Sequence, residues 1–284
     1  MRRIIDFVIR LLQDILNVLK SFMAIFVYSC LRNKNENYKN RGKCNVLGNG
    51  PSLGENIEEI LNSGIPSVAV NFFCRSEYFR IVRPEYYLFI DSSFFNKTDK
   101  RICQLMDDFC ESMQTVDWEM AIFIPYHQRN SLGGKRLKSI KNNFLKIACL
   151  NTTPIDGPIK FRHKMYQLNL GMPIAYNVIN AALVLAINIG FNEIHLFGAE
   201  HSFLKQMFFD NEGNLCGYNS HIYKSEVKAT YMIPKGGLED GLLSFAMCLK
   251  SYRYIKMYAD SLNVKIFNRC KESYIDVFDK KYSY

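Results

Sequence analysis

The fold is decided by the stretch NVLGNGPSL, residues 45–53, which joins a short apolar run to a glycine-rich turn. The residues that follow carry Glu55, Glu58 and Glu59, as is typical of the acidic first turns of a helix. Strand, glycine turn and helix together direct backbone N–H groups and the positive end of a helix dipole toward an anion. The stretch therefore predicts a nucleotide site at the end of the first strand.

The turn differs from the two best-known phosphate-binding motifs. The dinucleotide fingerprint needs a third glycine where this chain has Leu53, and an acidic residue after the second strand, where this chain has Asn71. The P-loop needs a Gly-Lys-Ser/Thr run, which does not follow the turn. An ordinary strand–helix turn without a ligand is the alternative interpretation.

Composition bounds the class of protein. With 284 residues and 48% hydrophobic side chains, the chain is long and apolar enough for one large α/β domain or a domain with an appendage. The net charge of +9 suits an anionic membrane surface or a phosphorylated ligand, and no base-reading module points to nucleic acid. The nine cysteines form no C-x-x-C pair and no cleavable signal peptide is evident, so we expect a reducing, cytoplasmic compartment and no metal site.

Residues 1–31 form a candidate amphipathic helix. Polar side chains recur every three or four residues from Arg3 to Lys20, apolar side chains fill the other faces, and residues 21–31 are almost wholly apolar. Three alternatives stay open: a helix in the plane of a membrane, a helix that packs in an oligomer or a core, and a true membrane span. A basic linker, residues 32–42, separates this segment from the domain at 43–284.

Beyond residue 43, strand-like and helix-like runs alternate, which predicts a doubly wound, Rossmann-like, mostly parallel sheet. The strand candidates are 43–48, 67–71, 86–91, 120–125, 145–150, 193–197 and 264–268. The helix candidates are 53–63, 99–114, 174–189 and 239–262. The polar segment 126–144 is expected to be rich in loops. Since ligands of such folds bind at the carboxyl ends of the strands, the motifs there carry the functional prediction.

Four of these motifs, taken in order, resemble those of a known group of enzymes. They are GNGPSL at 48–53, VNFF at 70–73, YLFIDSSFF at 87–95 and GFNEIHLFGAEHSF at 190–203. The set resembles the bacterial sialyltransferases of glycosyltransferase family 42. It is even more similar to the domain shared by Maf-type flagellin glycosyltransferases and the archaeal 6-hydroxymethylpterin pyrophosphokinase (MptE-like) group. The resemblance covers roughly residues 43–280 and implies their Rossmann-like variant of the GT-A fold.

The resemblance implies a nucleotide site at the first strand ends and in a later loop. In those sialyltransferases the first motif holds the nucleotide of a CMP-sugar, an asparagine follows each of the next two strands, and a loop before a long helix contacts the pyrimidine. The residues that match are Gly48, Asn49, Gly50, Pro51, Ser52, Asn71, Asp91, Gly171 and Met172. Asp91 replaces an asparagine, and its carboxylate suits a hydroxyl or an amine better than a phosphate.

Sugar transfer with inversion needs a base for the acceptor hydroxyl and groups that stabilise the leaving phosphate. The histidine base of the family matches His221, in the polar stretch NSHIYK at 219–224. His201, beside Glu200 at a strand end, is the alternative base, and Glu200 or Asp91 would be the nucleophile of a retaining mechanism. The predicted phosphate-binding residues are Tyr218, Tyr223 and Lys224.

The sequence thus predicts a bacterial glycosyltransferase of polysaccharide biosynthesis, cytoplasmic and peripheral on the inner face of the cytoplasmic membrane through residues 1–31. It would move a sugar, a nonulosonate such as sialic acid or Kdo, from a CMP-sugar to a glycan or lipid-linked glycan acceptor. Without an Asp-x-Asp pair, no metal ion or other cofactor is expected, and a homo-oligomer is compatible with the helix. The alternatives are an ATP-dependent pyrophosphokinase and a non-catalytic partner that binds a glycan or a nucleotide.

Overall fold

The computed structural model describes residues 2–31, 42–96, 100–218, 222, 229–231 and 237–281. The α-helices are α1 Arg2–Tyr28, α2 Ser52–Glu55, α3 Ile57–Ser63, α4 Phe79–Val82, α5 Ser92–Asn96, α6 Lys100–Gln114, α7 Leu132–Lys138, α8 Ile159–Gln167, α9 Val178–Ile189 and α10 Leu238–Ser261. The strands are β1 Lys43–Leu47, β2 Ser67–Val70, β3 Tyr86–Leu88, β4 Met120–Pro125, β5 Leu145–Leu150, β6 Glu193–Phe197, β7 Met207–Phe209, β8 Leu215–Tyr218, β9 Ala229–Tyr231, β10 Lys265–Asn268 and β11 Asp279–Lys280.

The main sheet has the strand order β11-β10-β6-β1-β2-β3-β4-β5, and its neighbouring strands pair in parallel. The prediction of a doubly wound α/β fold is confirmed, and each of the seven predicted strands lies in this sheet. The chain adds β2 to β5 on one side of β1 and then crosses to the other side with β6. The strand order therefore reverses between β1 and β6, where folds of this kind leave a crevice at the carboxyl ends.

Two hydrophobic layers enclose the sheet because successive side chains of a strand point to opposite faces. Val46 belongs to the layer that α9 and α10 form, whereas Leu47 belongs to the layer that contains α3 and α6. Helix α9 is apolar and buried over most of its length, and a capping box between Asn177 and Asn180 closes its first turn. The start of α9 is thereby fixed at the same edge of the sheet as the end of β1.

The structure differs from the sequence prediction in several places. The sequence does not predict helix α8, the helix expected at 174–189 begins only at Val178, and three further segments differ. The single helix expected at 53–63 is two helices, α2 and α3, broken at Asn56, whose side chain donates to the Ser52 carbonyl at 2.7 Å. The segment 126–144, expected to be rich in loops, contains helix α7. Ser131 caps this helix, and Gly133 and Gly134 pack it closely against neighbouring backbone, although glycine has a low helix propensity. Strands β7, β8 and β9 form a second, antiparallel sheet that the sequence does not predict, because such short strands give little periodic signal.

Helix α1 is continuous, as expected for residues 1–31, and its last turns pack onto the domain. Ile25 is 4% exposed and belongs to the hydrophobic layer beside α9 and α10. Ser21 and Ser29, four residues to either side of it, are also buried. Residues at a spacing of four lie on one face of a helix, so this face is part of the domain's packing.

Candidate functional site

Two glycine turns meet where the strand order reverses. The Gly48 amide donates to the Phe197 carbonyl at 2.8 Å, and the Gly50 amide donates to the Gly198 carbonyl at 2.9 Å. A Cβ at Gly48 would lie 2.2 Å from the Gly198 oxygen, and Gly198 itself has a φ of 61°. The close approach and the left-handed backbone both require glycine. The motif after β1 and the motif after β6, predicted separately, thus form one structural unit.

Glu200 links these turns to the first turn of α2. Its Oε1 accepts a hydrogen bond from the Ser52 amide at 2.8 Å. Its Oε2 lies against Gly50, because a Cβ there would be 1.6 Å away. The Glu200 carboxylate therefore already accepts the hydrogen bond from the Ser52 amide that the sequence predicts for a nucleotide phosphate. A ligand that brings hydroxyl groups suits this end of the turn better than an anion does.

Asn49 and Asn71 lie side by side at the ends of β1 and β2. Asn49 Nδ2 donates to the carbonyl of Val70, the residue before Asn71, at 3.1 Å. Asn71 has a φ of 49°, and its carbonyl accepts from Tyr87 Oη at 2.5 Å. The side-chain oxygens of both asparagines are buried and accept no hydrogen bond from any residue that the structure describes. Buried amide oxygens need donors, so this pair is a candidate ligand contact.

The other predicted nucleotide contacts have different surroundings. Asp91 is exposed after β3, and its Oδ1 accepts from the Ser93 amide at 2.8 Å in the first turn of α5. Met172 is 1% exposed, and its amide donates to the Thr153 carbonyl at 3.0 Å. Gly171 packs against the same segment, where a Cβ would lie 2.3 Å from the Thr153 oxygen. In this arrangement Gly171 and Met172 are packing residues, and their nucleotide contact stays a prediction.

His201 is held in a buried hydrogen-bond network between β6, α9 and α10. Its Nε2 lies 2.7 Å from Tyr252 Oη and 2.8 Å from Asn177 Nδ2. Burial lowers the pKa of His201 to about 4, so the ring is neutral at pH 7. Since Asn177 Nδ2 can only donate, Nε2 accepts from it, and we assign the ring proton to Nδ1. The nitrogen that accepts is therefore already engaged, and the role of His201 as a base stays a prediction.

We expect the free energy of unfolding to fall as the pH is lowered from 6.5, the ordinary pKa of histidine, to about 4, the pKa of His201 in the fold. In this window the unfolded chain binds a proton at His201 that the folded chain does not, so acid favours unfolding. One such proton is worth about 1.4 kcal/mol per pH unit. Urea unfolding at several pH values measures the slope. His201→Gln should reduce it by about this amount, and an unchanged slope would contradict the assignment.

Several of the predicted catalytic and phosphate-binding residues lie outside the described residues: His221, Tyr223, Lys224 and the side chain of Tyr218. Ile222 is described, and its amide donates to the Asn49 carbonyl at 2.9 Å. Its side chain packs against the hydrophobic layer that contains Leu53. The chain therefore returns to the glycine turn at residue 222.

A cavity of about 1180 Å³ opens beside the two glycine turns. The residues that line it are Pro51, Ser52, Glu55, Asn56, Glu200, Ser202, Lys205, Gln206, Met207, Phe208, Arg269, Lys271 and Glu272. Lys205 and Glu272 form an exposed ion pair at its rim, with Nζ and Oε2 2.6 Å apart. Among the described residues, no group of three or more His, Cys, Asp or Glu side chains is arranged to hold a metal ion.

Sequence reasoning missed the residues that support this site from a distance. Asn177 and Tyr252 hold His201, and Ser273 Oγ donates to the Ala199 carbonyl at 2.7 Å. Asn177 carries a signal that could have found it, because it immediately precedes an apolar helix as an N-cap does. Tyr252 and Ser273 carry none, since only the fold brings them to the end of β6.

No protein-family model matches the chain, and no curated protein matches it. Among solved structures, it is similar to the sialyltransferase CstII from Campylobacter jejuni in complex with a substrate analogue, cytidine-5'-monophosphate. The identity is 16%, 85% of each chain is covered and the TM-score is 0.43. The sialyltransferase CST-II in complex with a trisaccharide acceptor and CMP matches at 15% identity, over 84% of this chain and 85% of that one, with a TM-score of 0.41.

The chain is also similar to the MAf glycosyltransferase from Magnetospirillum magneticum AMB-1, at 10% identity and a TM-score of 0.48. This match covers 87% of the present chain but 34% of the larger protein. The two kinds of glycosyltransferase are those that the sequence motifs resemble. At these identities and TM-scores, neither the donor nor the acceptor of those proteins is assigned to this chain.

Proposed function

We propose that the protein is a glycosyltransferase that moves a sugar from a CMP-sugar to a glycan acceptor. One observation carries the proposal: at the reversal of strand order, two interlocked glycine turns lie beside a pair of asparagines whose buried side-chain oxygens have no donor among the described residues. Such a crevice is where doubly wound folds bind nucleotides. The ordered motifs at the same strand ends resemble those of sialyltransferases, which supports a nonulosonate as the sugar.

The chemistry of the two asparagines favours cytidine. Asn49 donates one amide hydrogen to Val70, whereas its side-chain oxygen, which can only accept, has no donor among the described residues. The exocyclic amine of cytosine and the hydroxyls of ribose are suitable donors. Uracil has a carbonyl where cytosine has that amine, and two oxygens would then face each other. Cytosine would donate to the asparagine oxygen, whereas uracil would leave it without a donor, so cytosine is favoured.

The acceptor would enter through the cavity beside Glu200. Its lining combines apolar surface with carboxylate, cationic and amide side chains, and these polar groups can pair with the hydroxyls of a sugar. In the proposed reaction the leaving group is a nucleoside monophosphate, and we propose that it departs without a metal ion. A cytoplasmic location is part of the proposal, supported by nine cysteines that are all free.

We expect CMP or CTP to raise the melting temperature more than UDP, GDP or ATP does, with or without Mg²⁺. At a ligand concentration near one hundred times Kd, the shift should be about 5 °C or more, because binding only to the folded state stabilises it. Asn49→Ala should weaken CMP binding about 10-fold by removing one acceptor. The matched control is Asn143→Ala, an exposed residue before β5 at the opposite edge of the sheet.

Two results would contradict the proposal. A preference for ATP with Mg²⁺ would favour the pyrophosphokinase, and binding of CMP without hydrolysis or transfer of any CMP-sugar would favour a non-catalytic partner. Equal CMP affinity in the Asn49 and Asn143 variants would show that the nucleotide does not bind at the glycine turn. EDTA treatment tests the metal-independence of transfer separately.

A further inference from the structure

One face of α1 is apolar from end to end and exposed. Its side chains are spaced three or four residues apart, so they line one side of the helix. This apolar stripe consists of Ile5, Val8, Leu12, Ile15, Leu19, Met23 and Phe26. Each of them is between 44% and 82% exposed. The stripe runs about 31 Å at 1.5 Å per residue, and apolar surface of this extent marks an interaction site.

A different face of α1 is fixed to the domain. Ser21 Oγ donates to the Asp156 carbonyl at 2.9 Å and accepts from the Asp156 amide at the same distance. Ser29 Oγ donates to the Leu170 carbonyl at 2.6 Å, and the Cys30 amide donates to Asn151 Oδ1 at 2.8 Å. These contacts, together with buried Ile25, set the direction in which the apolar stripe points.

The docking of the last turns of α1 favours one of the alternatives for this helix over a membrane span. By length and composition, the helix from Arg3 to Tyr28 is long and apolar enough to cross a membrane. However, its most apolar part is the part that docks, and Val18 already lies against Gly157. The free part, residues 2–17, is about 24 Å long and carries Arg10 and Asp14. It is shorter than the ~30 Å hydrocarbon core, so a position in the plane of the membrane fits better.

The charge of this region identifies the surface that the stripe meets. Residues 1–43 contain nine Lys and Arg against three Asp and Glu, and so hold six of the nine net positive charges of the chain. A basic segment beside an exposed apolar stripe is complementary to a bilayer that contains anionic lipids. A second copy of this chain would bring the same positive charge, which opposes self-association through this face.

We propose that the apolar stripe of α1 lies in the plane of an anionic lipid bilayer and holds the domain there in a fixed orientation. The segments that dock α1, around Asn151, Asp156 and Leu170, follow β5 and precede α9, at the carboxyl edge of the sheet. Asn49, Asn71 and Glu200 lie at the same edge. The bilayer is thereby brought beside the candidate site. That this presents a membrane-borne acceptor rests on the proposed function, whereas the binding surface does not.

Co-sedimentation of the full chain with vesicles of phosphatidylglycerol and phosphatidylethanolamine tests the proposal. The double variant Leu12→Glu with Phe26→Glu should lower the partition coefficient between vesicles and water by ~10²-fold or more, because two apolar side chains that would enter the bilayer are lost. The matched control, Gln13→Glu with Asn17→Glu, adds the same charge on the polar face and should change binding ~3-fold or less, as expected for charge alone. Phosphatidylcholine vesicles and high salt should weaken binding of the wild type.

Other outcomes would overturn the proposal. If both double variants lose binding alike, the stripe does not touch lipid. If the wild type forms a dimer that the stripe variant loses, and neither binds vesicles, the stripe packs against a second copy. If high salt and alkaline carbonate leave the protein in the membrane, the helix spans it. The melting temperature of each variant shows whether a loss of membrane binding is due to misfolding. CMP binding measured without lipid tests the proposed function separately from membrane binding.

Discussion

Gly48→Ala is expected to lower the free energy of unfolding by about 3 kcal/mol and to abolish tight binding of CMP. The new Cβ would lie 2.2 Å from the Gly198 oxygen and 2.8 Å from the Gly198 carbonyl carbon. Both atoms belong to the backbone, so neither can move aside as the end of a side chain would. The two glycine turns must separate, and the hydrogen bonds between them are lost. The expected fall in melting temperature is about 6–12 °C.

Gly54→Ala is the matched control within the same motif. A Cβ at this position meets its nearest neighbour, Tyr78 Oη, at 3.5 Å, which is an ordinary contact. Gly54 lies in α2, where alanine stabilises a helix by up to ~1 kcal/mol relative to glycine. We therefore expect this variant to be as stable as the wild type or more so. Similar stability of both variants would show that the turns at Gly48 and Gly198 are not locked together.

The central strands of the main sheet, β1, β2, β3, β4 and β6, could be predicted because they are largely buried on both faces. The sequence does not predict the exposed strand β11. Buried parallel strands appear in a sequence as short, continuous apolar runs, such as Ser67–Val70 and Met120–Pro125. The glycine turn after β1 could be predicted for a different reason: the close approach of two backbones excludes any side chain. Both signals are local, so one sequence is sufficient to find them.

The electrostatics of the site could not be predicted, because they depend on contacts across the chain. Glu200 and Ser52 are 148 residues apart, and nothing near either residue indicates that a carboxylate caps the turn. The neutral state of His201 depends likewise on burial between α9 and α10, which no local pattern encodes. The sequence motifs therefore locate the site, whereas the contacts that determine its chemistry arise only from the fold.

His221→Ala is expected to slow sugar transfer by ~10²-fold or more, the usual effect of losing a general base, with little change in donor affinity. A base must reach the acceptor hydroxyl, and the chain beside His221 is anchored at the site by the bond from the Ile222 amide to the Asn49 carbonyl. His201 is the weaker candidate, because its Nε2 already accepts from Asn177 Nδ2. His201→Ala should therefore lower the melting temperature more than it lowers the rate.

Transfer at saturating donor, measured over a range of pH below the melting temperature of each variant, separates the two histidines. Loss of the base should remove the acidic limb of the pH–rate profile in the His221 variant, while the His201 variant keeps the limb. His163→Ala, on α8, is the control for removal of an imidazole away from the strand ends. An active His221 variant beside an inactive but folded His201 variant would reverse the assignment. If both variants are active, a carboxylate acts as the nucleophile of a retaining mechanism. Glu200→Gln then identifies it: an inactive variant indicates Glu200, and an active one indicates Asp91.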